Sequence, residues 1–162
     1  MLHNVLIAVD GSRNSRRAVE SAGRVFAPNP EARLVLFQIL PAISRMNLDK
    51  EEIKTIDSRK VERPDLAGLY WRAEDEAEMN KFFGEAKELL VKAGLEPEQI
   101  KSKFGVKKGE IADAILEEAE LGKHDTLILG RRGLSRVREV LQGSVSTKVV
   151  REARGCAVVV VE

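Results

Sequence analysis

Apolar positions along this 162-residue chain gather into five short segments separated by stretches of helical periodicity. Val5-Leu6-Ile7-Ala8-Val9 is an unbroken apolar run closed by Asp10-Gly11, the pattern of a strand buried on both faces. Ser12 stands at the N-cap of the next helix, where Ala18, Val19, Ala22, Val25 and Phe26 recur at helical spacing until Pro28 stops it. Leu34 to Leu40 reads as a second buried strand, closed by Pro41. From about 42 to 70 the texture changes: the stretch is charged, weakly periodic and interrupted by Pro64 and Gly68. It is expected to be a long excursion with one short helix, acting as a lid or partner surface.

Helical spacing returns from Arg72 to Ala93, with Ala73, Ala77, Phe83, Ala86, Leu90 and Ala93 on one side and Gly94 as the stop. The acidic start of this helix, Glu74, Asp75, Glu76 and Glu78, suits the positive end of the helix dipole and reads as a solvated face. Ile100 to Val106 alternates, with Lys101 and Lys103 on the wetter side, as an edge strand would. A helix through Ile111, Ala114, Ile115 and Ala119 ends at Gly122. A buried strand, Thr126-Leu127-Ile128-Leu129, then runs into Gly130. The last helix, Ser144 to Ala153, turns Val145, Val149 and Val150 inward. The last strand, Cys156 to Val161, is apolar throughout. Strands alternating with helices predict an α/β fold: a parallel sheet with right-handed crossovers and helices on both faces, in one domain spanning 1–162.

Charge narrows the function classes. Lys and Arg total 27 against 26 for Asp and Glu, a net charge of +1, so no broad electrostatic footprint for nucleic acid exists and an anion site must be local. No apolar run is long enough for a membrane span and none resembles a secretory signal. Cys156 stands alone, which suits a reducing compartment. These features lead us to expect a cytoplasmic protein with no nucleic-acid or membrane partner.

Open parallel sheets bind ligands beyond the carboxyl ends of their strands, where the strand order reverses. With the first strand central, the reversal falls between strands one and four. Their ends carry Asp10-Gly11-Ser12 and Gly130-Arg131-Arg132-Gly133. The two glycines bracket a turn that a ligand can approach closely, and Arg131 and Arg132 add local positive charge. Nine residues separate Gly133 from Gly143-Ser144, at the start of the last helix. Free backbone N–H groups there form an anion site, to which the Ser144 and Ser146 hydroxyls add donors. Asp10 faces the same crevice and offers acceptors to a base, a ribose or a metal. Each residue alone is equally a turn former, a cap or a solvated side chain; their convergence at one place is what points to a site.

The spacing Gly130-x2-Gly133-x9-Gly143-Ser144 resembles the nucleotide-binding signature of the ATP-binding branch of the universal stress proteins. Val5 to Ser12 is similar to that family's first strand and turn, and Gly155 to Val161 to its last strand. The resemblance covers the whole chain except about 42–70. It implies a single-domain doubly wound five-stranded parallel sheet in the order 3-2-1-4-5, of the adenine-nucleotide alpha-hydrolase-like type. It further implies ATP as ligand, accompanied in some members by a divalent metal such as Mg or Mn. By the same resemblance Ala8, Val9 and Asp10 would line the adenine and ribose pocket and Ile39 would pack on the base. Gly130, Gly133, Gly143, Ser144 with its neighbour Val145, and Ser146 would hold the phosphates. Arg131 and Arg132 depart from the small residues usual in this loop. The family's habits also imply homodimers in stress response, and the last strand supports them independently: as an edge it carries no lysine or proline to deter pairing.

No P-loop, dinucleotide fingerprint, nucleophile elbow or Cys/His metal spacing is present. The two histidines, His3 and His124, precede strands. No catalytic residue is identified, and weak ATP hydrolysis is the most the resemblance implies. Two alternatives to a nucleotide-responsive binding module stay open. One is an enzyme that slowly hydrolyses ATP or transfers its phosphoryl or nucleotidyl group; the other is a nucleotide-free dimeric interaction protein.

Overall fold

The computed structural model describes residues 2–107, 109–131 and 144–162. Its strands are β1 (Asn4–Ala8), β2 (Arg33–Pro41), β3 (Ile100–Lys107), β4 (Thr126–Gly130) and β5 (Ala157–Val161). They pair in parallel in the order β3-β2-β1-β4-β5. The helices are α1 (Arg13–Phe26), α2 (Lys50–Arg59), α3 (Ala73–Ala93), α4 (Ile111–Leu121) and α5 (Ser144–Glu152).

The unbroken apolar run of β1 follows from its central place. Val5, Ile7 and Val9 enter a core built with α1 and α3, while Leu6 and Ala8 enter a second core built with α4 and α5. Both faces being covered, every position of the strand must exclude water, and Val5, Leu6 and Ile7 are fully buried. At the foot of the sheet the Asp125 carboxylate accepts hydrogen bonds from the backbone N–H groups of His3 and Asn4 at 3.0 Å, fixing the β1–β4 register. Ser12 caps α1 by accepting from the Ser15 N–H at 3.1 Å, and Gly94, at φ +119°, closes α3 in the left-handed conformation. Gly122 does not play that part for α4: it stays right-handed, and Lys123 takes the positive φ of 51°.

The excursion after β2 is folded. It contains α2, opened by a reciprocal Asp49–Glu52 capping box, and short helical turns at Arg45–Asn47 and Pro64–Leu66. Ile56, Leu66 and Trp71 anchor it in the α1/α3 core, with the Trp71 ring edge-on to Phe104 of β3 at 5.4 Å. Glu76 is 6 % exposed and pairs with Arg59 of α2. The reading of the acidic start of α3 as a solvated face is therefore corrected at this residue. Arg63 reaches the edge strand itself, donating to the Phe104 carbonyl at 2.7 Å while it pairs with Asp65.

In α5, Val149 is fully buried and Val145 half-buried, but Val150 is 55 % exposed. The inward placement expected for Val150 is corrected: it follows Val149 directly, and one residue along a helix is a rotation of about 100°. None of the helices is long and apolar enough to cross a membrane, among the described residues.

Candidate functional site

The order of the strands reverses between β1 and β4, and the elements that meet there are set by short-range rules. Gly11 turns the chain out of β1 at φ +82°, a conformation that side chains with a Cβ disfavour. This turn folds the Asp10 carboxylate back on the start of α1. Its Oδ1 accepts from the Ser12 N–H at 2.9 Å and from the Ser15 hydroxyl at 2.6 Å, and the Asp10 N–H donates to Ser15 Oγ at 2.8 Å. The second carboxylate oxygen takes no protein donor among the described residues and remains available.

Gly130 ends β4 fully buried. A Cβ built on it would lie 2.8 Å from the backbone of Asn14, so this glycine is what lets the first turn of α1 sit against the end of β4. The next residue stitches three elements together. Arg131 N–H donates to the Val161 carbonyl at 2.9 Å, its own carbonyl accepts from Ser146 Oγ at 3.2 Å, and its guanidinium pairs with Glu162. Ser146, 5 % exposed, thus joins α5 to the end of β4. Ser144 begins α5 and is exposed to solvent. One turn further on, Lys148 pairs with Asp113 at 2.8 Å and with Glu110, both at the start of α4. Those two bonds hold its ammonium pKa above the ordinary lysine range.

Beside these elements lies a cleft of about 580 Å³, walled by Asp10 and Gly11, by Gln38 and Ile39 of β2, and by Asp75 and Glu78 of α3. The Gln38 side-chain oxygen is buried there without a hydrogen-bond partner among the described residues. The cleft therefore has an apolar patch at Ile39 and an acceptor-rich rim, whereas donors lie at the α5 end of the switch point.

Of the residues singled out from sequence, Asp10 and Ile39 line the cleft, and Gly130, Arg131, Ser144, Val145 and Ser146 cluster at the β4–α5 end. Ala8 and Val9 are 2 % and 1 % exposed, with side chains in the two cores. The Val9 N–H is already spent on the Phe37 carbonyl at 2.8 Å. Arg132, Gly133 and Gly143 lie outside the described residues. Gln38, Ser15 and the α3 acids were not foreseen. Glu76 was legible in retrospect, since 76, 79, 83, 86 and 90 form one buried helical stripe.

An open parallel sheet with a cleft at its strand-order reversal defines an α/β ligand-binding architecture. Comparison with known proteins narrows the class: the chain belongs to the universal stress protein family, whose model matches residues 1–162. It is 28% identical over 170 residues to the universal stress protein YxiE of Bacillus subtilis (strain 168), covering 99% of each chain. Among solved structures it resembles a universal stress protein in complex with cAMP, at 26% identity and a TM-score of 0.67, covering 99% of this chain and 97% of the other. A universal stress protein from Archaeoglobus fulgidus in complex with dAMP shares the fold at 18% identity and a TM-score of 0.66, with 99% and 98% covered.

Proposed function

We propose that the chain is an ATP-binding module of stress response or signalling, in which nucleotide occupancy sets the behaviour of a homodimer or of a protein partner. The observation that carries the reading is the convergence at one switch point of the Asp10 turn, the glycine end of β4 and the exposed, serine-bearing start of α5. The relative of 26% identity that holds cAMP supports adenine as the base. In this reading the base packs on Ile39 and the free Asp10 oxygen accepts from the ribose. The phosphates sit on the backbone of Gly133 and Gly143 and on Ser144. Ala8 and Val9 contribute backbone, and Ser146 positions α5 against Arg131 instead of reaching the ligand.

Among the described residues, no group of three or more Asp, Glu, His or Cys side chains could hold a metal. A Mg or Mn ion accompanying ATP would draw its ligands chiefly from the phosphates, with Asp10 as the nearby carboxylate. We expect binding without efficient turnover, because Asp10, the carboxylate at the end of β1, has one oxygen committed to Ser12 and Ser15.

The homodimer forms through β5. Ala157 and Val159 are exposed along this edge strand, and Val150 presents a further exposed apolar side chain on α5. The test of the site is to purify the protein without added nucleotide, denature it and identify released small molecules by chromatography with mass detection. We expect a near-stoichiometric adenine nucleotide from the wild type and none from a Gly143→Val, Ser144→Val variant that retains its circular dichroism. Equal retention in the variant would show that the phosphates lie elsewhere.

A further inference from the structure

The carboxyl end of the sheet holds two hollows of opposite character that share Ile39 and Pro41. Among the described residues, the cleft described above is lined by four carboxylates, Asp10, Asp75, Glu78 and Glu85, against one cation, Lys81. The second, a groove of about 680 Å³ between the excursion and the β3–α4 turn, has no carboxylate in its walls among the described residues. Ile39, Ile111 and Tyr70 are among its lining residues, and its cations are Arg45 and Lys107.

Arg45 is exposed, and its guanidinium has no partner among the described residues. Lys107 has only a long contact to Glu117, at 3.8 Å. In a chain with a net charge of +1, an Arg45 unpaired among the described residues and a Lys107 held only at 3.8 Å by Glu117, beside an apolar lining, are a local departure that favours an anion.

The groove is also built to hold its shape. The Ala42 N–H donates to the Lys107 carbonyl at 3.2 Å, and the Ile43 N–H to the Tyr70 carbonyl at 2.9 Å. The Tyr70 hydroxyl donates to Asp57 at 3.1 Å, with the Lys60 ammonium 3.5 Å over its ring. A preformed wall lowers the ordering cost of binding. Its far end is tied to the expected phosphate site. Gly109 and Ile111, in the groove, flank Glu110, which pairs with Lys148 one turn after Ser144.

We propose that this groove is a second anion subsite, continuous with the nucleotide cleft through Ile39, for an adenine nucleotide that carries phosphate at two separate positions. The inference rests on the nucleotide reading above and adds a ligand class to it. Arg45 and Lys107 hold the additional phosphate by charge-assisted hydrogen bonds, and the excursion thereby becomes a wall of the binding site.

The test uses two isomers with the same number of phosphates, adenosine 3′,5′-bisphosphate and adenosine 5′-diphosphate, titrated into nucleotide-stripped protein at fixed ionic strength. The bisphosphate is expected to bind about tenfold tighter or more, the effect of one added hydrogen bond to a charged group. In an Arg45→Met, Lys107→Met variant of unchanged melting temperature the two affinities should converge. Equal affinities in the wild type, or a preference that survives in the variant, would overturn the second subsite while leaving the nucleotide reading intact. If neither isomer nor ATP binds, the nucleotide reading itself falls, and this inference with it.

Discussion

The two edges of the sheet meet the same hazard in opposite ways. A free strand edge offers unpaired backbone groups to any other chain. On β3 the chain spends a whole segment on this problem. Lys101 and Lys103 alternate along the strand, Trp71 packs on Phe104, and Arg63 donates to the Phe104 carbonyl while its guanidinium lies 5.1 Å from that ring. On β5 no such device is present among the described residues. Its sequence is Ala-Val-Val-Val-Val, with Val159 43 % exposed. The difference teaches that the two edges are handled by different means, and that an apolar edge left open favours pairing with another chain. The excursion guards one edge at Phe104 from within the chain, and the proposed homodimer would cover the other from outside it.

Removing the anchor of the guarded edge should have the largest effect. Trp71→Ala leaves a cavity under the excursion and is expected to cost about 3–5 kcal/mol, measured by urea unfolding. The same variant should become more prone to concentration-dependent association, because the Arg63 guard is no longer held in place. At the open edge, Val159→Lys is expected to leave the fold intact and turn a dimer into a monomer at micromolar concentration in sedimentation velocity. A wild type that sediments as a monomer would remove the contrast altogether. Arg63→Met should be milder, at about 1–2 kcal/mol, for the hydrogen bond to the Phe104 carbonyl, one cation–ring contact and the solvent-screened pair with Asp65.

The smallest effect concerns acid. The hydrogen bond from Arg63 holds the Asp65 carboxyl below its ordinary value of 3.8. The stability this pair contributes is therefore complete above about pH 3.8 and fades as pH falls through the lowered value. The gap between wild type and Arg63→Met should narrow over that acidic range. The change will be slight, because Asp65 is 58 % exposed and solvent screens the pair.

Much of this was legible from residue pattern. The central strands declared themselves because burial on both faces leaves no polar position, as Val5 to Val9 shows. Ser12 and Gly94 marked helix ends because capping is local chemistry. What failed to show was whatever depended on a distant partner. Glu76 read as solvated because its acidity was visible and Arg59 was not. Val150 read as buried because its neighbour Val149 is, while the exposed face of α5 is set by tertiary packing. Gly130 was legible as a glycine of the switch point. Its close approach to Asn14 was not, since that contact joins residues more than a hundred positions apart. Ser146 was likewise visible as a hydroxyl near the site, but its bond to the Arg131 carbonyl depends on how α5 docks on β4. The excursion was legible in length, charge and its one short helix, α2, but not in its packing, which comes from three buried side chains, Ile56, Leu66 and Trp71, spread over a weakly periodic stretch.

The most direct measurement is calorimetric titration of nucleotide-stripped protein with ATP. A saturable heat with one site per chain, lost in a Ser144→Val variant that still melts cooperatively, is the predicted result. A flat titration of correctly folded wild type would contradict the nucleotide reading of the switch point.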